Sequence, residues 1–183
     1  MADVVTLAGS PSYPSRSTAI LGHIRAQFEI NGFSTEAISV RDLPAEALLH
    51  AQFDDPAIQR VITTIESARV VVIATPVYKA AYTGILKALL DVLPQRALAG
   101  KLVFPIATGG SPAHLLSIDY ALKPVLSALG AEHILGGLYI QDSQIQYGNE
   151  TVQLEASVET RLQETIQKLI AILRQPELVS VTD

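Results

Sequence analysis

Val70-Val-Val-Ile-Ala-Thr-Pro-Val-Tyr-Lys-Ala-Ala-Tyr-Thr-Gly84 is the stretch whose reading decides the fold. Its first five residues are all apolar, the pattern of a strand buried on both faces, and such strands belong to parallel sheets covered by helices. Pro76 has no N–H to give a ladder, so the strand is expected to stop at Thr75-Pro76. A short loop carrying Tyr78, Lys79 and Tyr82 follows, and then a helix. Open α/β sheets hold their ligands at loops leaving the carboxyl ends of central strands. This loop offers flat faces, hydrogen-bond donors and one positive charge.

Working outward, apolar runs and helices alternate along the rest of the chain. Residues 4–8 form a nearly continuous apolar strand that ends at Gly9-Ser10. The helix after it carries Ile20, Leu21, Ile24 and Phe28 on one face and closes at Asn31-Gly32. A weakly patterned strand at 33–40 belongs near an edge, and Pro44 to Leu49 allow a short helix in an irregular stretch. Asp55-Pro56 joins an N-cap carboxylate to a first-turn proline, and Ile58, Val61, Ile62 and Ile65 then repeat with helical spacing. Residues 102–107 form a fourth strand around Pro105. A helix at 113–129 contains Pro124, which removes an intrahelical bond and demands a kink or bulge near Tyr120. A fifth strand at 132–139 is interrupted by Gly136-Gly137, a polar loop fills 141–149, and an amphipathic helix spans 152–173. Residues from about 174 to 183 read as a loose tail.

Five strands alternating with helices predict one flavodoxin-like domain over residues 1–183, a three-layer α/β/α stack around a five-stranded parallel sheet in the order 2-1-3-4-5. The first turn supports that order over a dinucleotide-binding half, because Gly9 is followed by hydroxyls and not by Gly-x-x-Gly. The helix at 83–93 is apolar nearly all round, with Lys87 and Asp91 its polar strip. An outer-layer helix of that kind needs cover on both sides, so it is expected at a subunit interface, most simply a two-fold dimer.

Composition narrows the function. The chain has 183 residues, 49% of them apolar, which is enough for a full core and too much for disorder. It has no cysteine, so thiolate catalysis, thiolate metal sites and disulfides are excluded, and a reducing cytoplasm is the expected location. No apolar run is long enough to span a bilayer. A formal charge of −5 without a basic cluster argues against nucleic acid as a partner. The four histidines are scattered, and none of them forms a pair with metal-ligand spacing.

In the expected topology three loops meet at one edge. The first, from Gly9 to Thr18, brings Ser10, Ser12, Ser15, Arg16 and Ser17 to a helix N-terminus, the donors and the cation a phosphate needs. The second presents Pro76, Val77, Tyr78 and Lys79, whose amides and ring suit the edge and face of a flavin. The third, Thr108, Gly109, Gly110 and Ser111, lets backbone approach a planar ligand closely. Together they fit flavin mononucleotide (FMN); taken singly, an ordinary N-cap, a solvated surface lysine at 79 and a tight glycine turn are the plainer readings. No nucleophile with a partnered base, paired carboxylates or Walker motif stands out. That scarcity agrees with hydride transfer, where position and electrostatics matter more than an acid or base.

Three blocks carry a resemblance: Leu-Ala-Gly-Ser-Pro-x-x-Pro-Ser-Arg-Ser at 7–17, Ala-Thr-Pro-Val-Tyr-Lys-Ala-Ala-Tyr-x-Gly-x-Leu-Lys at 74–87, and Ala-Thr-Gly-Gly-x-x-Ala-His-Leu-Leu-x-x-Asp-Tyr-Ala-Leu-Lys-Pro at 107–124. The chain resembles the NAD(P)H-dependent FMN reductases, and among them those of bacterial alkanesulfonate utilisation. The resemblance implies FMN reduced by NADPH and released to a partner monooxygenase that desulfonates alkanesulfonates. It also implies a homodimer or tetramer built through the helices at 83–93 and 113–129. It carries the phosphate onto Ser10, Ser15, Arg16 and Ser17, and the ring onto 76–79 and 108–111. Many relatives have arginine where this chain has Ser12, which leaves Arg16 as the main cation and lowers the expected affinity. It sets Tyr120 in a π-type bulge at the oligomer interface as a modulator of flavin exchange; a buried core tyrosine is the plainer reading. Three other readings remain on this fold, one of them a non-catalytic interaction protein that binds no flavin. The other two are a reductase of quinones, azo dyes or metal oxyanions that retains its FMN and a flavodoxin-type electron carrier.

Overall fold

In the computed structural model, which describes residues 2–148 and 151–175, the apolar runs become the middle of one sheet. Along the chain the strands are β1 (Val4–Ala8), β2 (Thr35–Ser39), β3 (Val70–Tyr78), β4 (Ala81–Tyr82), β5 (Leu102–Gly109), β6 (His133–Ile134), β7 (Leu138–Gln141), β8 (Ile145–Gly148) and β9 (Thr151–Leu154). The helices are α1 (Arg16–Ile30), α2 (Ala45–Leu49), α3 (Pro56–Ser67), α4 (Gly84–Val92), α5 (Lys123–Ala128) and α6 (Ala156–Leu173). The sheet runs β2-β1-β3-β5, with β6 and β7 in turn along the outer side of β5. These pairings are all parallel; in this sheet β4 alone runs antiparallel, against the end of β3, and β8 and β9 form a separate antiparallel pair. The fold is therefore the expected flavodoxin-like one. Its fifth position is shared by two short strands, and a hairpin strand has been added.

Alternation along each strand divides the core in two. Val4, Ala8, Val70, Val72, Ala74, Phe104 and Ile106 pack under α1 and α6, whose buried residues include Ile20, Ile24, Phe28, Leu162 and Ile166. Val5, Leu7, Val71, Ile73 and Val103 face the other way, under α3, α4 and α5. The caps follow the sequence. Asp55 accepts from Ala57 N–H at 2.7 Å with Pro56 at the first helical position, and Thr83 accepts from Leu86 N–H at 3.3 Å to start α4. At the other end of α3, the Lys101 ammonium is buried and donates to the carbonyls of Glu66 and Ala68, each at 2.9 Å. Burial lowers the pKa of this lysine.

Several expectations need correcting. Pro76 does not end β3, which runs on to Tyr78 with Pro76 opposite Thr108 of β5. Gly9 N–H donates to Ala74 O, so Ala74 faces β1; Pro76, two residues on, faces the same side, beyond the end of β1. The Gly9 carbonyl on that side accepts from the Thr83 hydroxyl instead. Pro105 works the same way. Leu135 N–H donates to Val103 O, so Pro105 faces the break between β6 and β7. The polar loop expected at 141–149 is a 3-10 turn, Asp142–Gln144, followed by strand β8, with Asn149 outside the described residues. The last helix begins at Ala156 and not at 152, because residues 151–154 pair back as β9. The expected loose tail lies outside the described residues beyond Gln175. No helix among the described residues is long and apolar enough to cross a membrane.

The single helix expected at 113–129 is three pieces: a 3-10 turn (Pro112–His114), a π turn (Ile118–Leu122) and α5. Pro124 has no N–H for the carbonyl of Tyr120, four residues back, so the regular ladder cannot close there. The helix widens instead, and Lys123 N–H donates to Ile118 O, five residues back. Tyr120 sits in this turn, 79% exposed, which corrects the reading of it as a core tyrosine. Ile118 points inward against Gly137, where a Cβ would lie 2.5 Å from its Cγ2. Gly137, in the break between β6 and β7, thus makes room for the π turn, whereas Gly136 beside it has open space.

Candidate functional site

The first loop rests directly on α4. A Cβ on Gly9 would stand 2.9 Å from the Leu86 side chain, so only glycine permits the approach. Beyond it the hydroxyls lie in two pairs, Ser10 with Ser12 at 3.3 Å and Ser15 with Ser17 at 3.0 Å. Ser15 is the N-cap of α1, accepting from Thr18 N–H at 3.4 Å, and the first turn holds no acidic residue. Arg16 is exposed and makes no ion pair among the described residues. A free cation, four hydroxyls and the positive end of a fifteen-residue helix stand together here, the groups that suit an anion.

The second loop is a tight hairpin. Tyr78 pairs with Ala81, which leaves Lys79 and Ala80 as its two central residues, with φ of 51° and 66°. Both are left-handed, as a primed turn requires, and neither is glycine. Thr83 ties this hairpin to the first loop: its N–H donates to the Thr75 hydroxyl at 3.2 Å and its hydroxyl donates to Gly9 O. Tyr78 is about half exposed at the mouth of the cleft.

The third loop is held from below. Tyr139, on β7, is buried and donates its hydroxyl to Ser111 O at 2.6 Å. Burial raises its pKa, with the Asp142 charge adding to the effect. Gly109 lies against the same ring, where a Cβ would be 2.5 Å from the Tyr139 oxygen. Gly110 is exposed, and a Cβ there would meet only Asp142 Oδ2, at 3.8 Å.

The three loops enclose one cleft of about 270 Å³. Ser10, Ser12, Ser15, Arg16, Ser17, Pro76, Val77, Tyr78, Thr108, Gly109 and Gly110 all line it, as the sequence predicted. Two predicted residues do not. Lys79 stands at the exposed hairpin turn, because a primed turn directs its central residues away from the sheet. Ser111 contributes its carbonyl to Tyr139 and its hydroxyl to the amide of Ala113. Pro14 and Asp142 line the cleft without having been foreseen. Asp142 follows the last residue of β7, and position at a strand's carboxyl end was its one available signal. Tyr139 and Thr83, which shape the loops from beneath, left no signal in the sequence. His114 lies in the 3-10 turn outside the cleft, and no metal-binding cluster occurs among the described residues. Larger hollows lie along the β2 edge and between α2 and α4, but neither gathers donors from all three loops.

Polar donors at one end and bare backbone with an aromatic face at the other fit a phosphate attached to a planar ring. The model of the NADPH-dependent FMN reductase family matches residues 2–145. An FMN reductase (NADPH) of Pseudomonas putida is 47% identical over 97% of this chain and 91% of its own. One of Escherichia coli is 45% identical over 97% of this chain and 96% of its own. Among solved structures, the apo form of the NADH:FMN oxidoreductase EMOB superposes with a TM-score of 0.79 at 35% identity, covering 97% of this chain and 93% of that one. The chain belongs to the NADPH-dependent FMN reductase family.

Proposed function

We propose, with that membership as the premise, that the chain reduces FMN with NADPH and releases the reduced flavin to a monooxygenase that desulfonates alkanesulfonates. The convergence of the three loops on one cleft carries the reading. Arg16, the paired hydroxyls and the N-terminus of α1 hold the phosphate. Val77, Tyr78 and the backbone of Gly109 and Gly110 position the ring. When bound, the flavin accepts a hydride from the nicotinamide, and the protein adds orientation and field. The 47% and 45% identical relatives are both FMN reductases (NADPH), which supports NADPH as the donor.

Flavin as a substrate, and not a resident group, is supported by the build of the cleft. One exposed arginine is its sole cationic lining residue, and charge-assisted bonds of that kind contribute about 1.5–3 kcal/mol. The monooxygenase partner follows from the sequence resemblance. A cytoplasmic location agrees with the absence of cysteine. The test is steady-state NADPH oxidation with FMN varied from none to excess. A rate near zero without FMN that saturates as FMN rises supports the proposal. Stoichiometric FMN on the purified protein, with turnover restored only by a quinone, replaces it with a reductase that keeps its flavin.

We place the subunit contacts on α4 and on the segment from 113 to 129. Leu86, Leu89, Leu90 and Val92 are buried within the chain, with Leu43 and Leu48 packed on the same core. What stays open is an apolar groove along Ile85 and Ala88, and Leu115, Leu116 and Tyr120 stand exposed on the second segment. Tyr120 there keeps flavin exchangeable. Replacing it with alanine is expected to leave FMN on the purified protein, and colourless Tyr120→Ala protein would reject that role.

A further inference from the structure

Building on the proposed binding of flavin in this cleft, we infer that Asp142 sets the site's preference for oxidised over reduced flavin and so promotes release of the product. The cleft has two charged lining residues, and they sit in different parts of it. Arg16 belongs to the phosphate loop. Asp142 belongs to the ring end, where its carboxylate lies 3.8 Å from the position a Gly110 Cβ would take. Neither forms an ion pair among the described residues.

Asp142 is firmly mounted. It opens the 3-10 turn at the end of β7, directly after Gln141, which pairs with Gly109 of the ring loop. Gln141 and Gln144 close a reciprocal capping box around the turn, with Gln141 N–H donating to Gln144 Oε1 at 3.1 Å. The Gln144 amide in turn donates to Glu155 at the start of α6, at 3.2 Å. The backbone is fixed on both sides, and the carboxylate itself carries no hydrogen bond among the described residues. A carboxylate on a fixed backbone and without a hydrogen-bond partner brings an unneutralised negative charge to whatever lies beside Gly110.

Hydride transfer changes the charge at that place. The nicotinamide C–H bond breaks, its electron pair and hydrogen form a new N–H bond on the ring, the nicotinamide becomes a cation, and the ring gains one negative charge until it takes a proton from solvent. The phosphate charge at the other end does not change. Asp142 therefore acts on the difference between the two redox forms, whereas Arg16 acts on both alike.

The experiment compares binding of oxidised and anaerobically reduced FMN, and of oxidised and reduced riboflavin, to the wild-type protein and to Asp142→Asn and Asp142→Glu. Thermal melts confirm that both variants fold. Asp142→Asn is expected to tighten the reduced form relative to the oxidised one by roughly five- to tenfold, the worth of one unit charge across a half-solvated cleft. The shift should be the same for FMN and riboflavin, and Asp142→Glu should behave as wild type. Equal tightening of both forms of FMN, with none for riboflavin, would show that the carboxylate opposes the phosphate and would overturn the inference. An unchanged ratio would overturn it as well. Failure of the wild-type protein to bind either flavin would instead overturn the proposed function, and the inference with it.

Discussion

The two ends of the cleft are made of different material. The phosphate end is local: Ser10, Ser12, Ser15, Arg16 and Ser17 lie within eight residues of one another, on one loop and the first turn of α1. The ring end is assembled at long range. Its lining comes from β3, β5 and the turn after β7, and Tyr139 and Asp142 belong to a segment about thirty residues downstream of Gly109. A site for charge needs side chains that can be recognised anywhere. A site for a flat ring needs an empty shape, and shape is set by whatever lies underneath.

That contrast can be broken by experiment. If the phosphate end acts through charge, Arg16→Ala should raise KM for FMN roughly 10- to 100-fold, the loss of a charge-assisted interaction, and leave riboflavin reduction nearly unchanged. Equal losses for both flavins would erase the division between the ends. Gly109→Ala attacks the ring end. Its Cβ would collide with the Tyr139 oxygen and displace the bond to Ser111, costing about 1–3 kcal/mol of stability and slowing FMN and riboflavin reduction together. Tyr139→Phe should cost about 1 kcal/mol by itself. In the double variant the phenylalanine leaves space for the new methyl group, so the combined loss should fall short of the sum; strict additivity in chemical denaturation would refute the contact. The smallest effect is expected from Ala80→Gly. Relieving a left-handed alanine should raise stability by roughly 0.5–1 kcal/mol. A destabilised variant would mean that the hairpin depends on that methyl group.

The same contrast explains what could be read in advance. The strands follow from continuous apolar runs, their order from the hydroxyls after Gly9 and the placement of the ligand loops, and the anion loop from residue types in a row. Tyr120 could be placed in a disturbed turn because Pro124 marks the disturbance from within the sequence. The outward position of Lys79 could not be read because its direction depends on the turn type, and two left-handed residues that are not glycine give no warning of a primed turn. The extension of β3 through Pro76 was hidden for a related reason. It depends on where a neighbouring strand stops, and that is a property of β1 and not of the proline. Asp142 and Tyr139 belong to the ring end only once β7 lies beside β5.

Thr83 and Gly9 join two places otherwise discussed apart. The Thr83 hydroxyl caps α4 and also donates to the carbonyl of Gly9, and Gly9 lies flush against Leu86. The anion loop and the helix assigned to subunit contact therefore share a hydrogen bond and a packed surface, so neither can shift without the other. Thermodynamic reciprocity then fixes the outcome: if phosphate tightens the association of subunits by some factor, association must tighten the grip on phosphate by the same factor. In that case the protein's concentration and its hold on FMN would be linked, and a binding constant for FMN that does not change on dilution would separate the two.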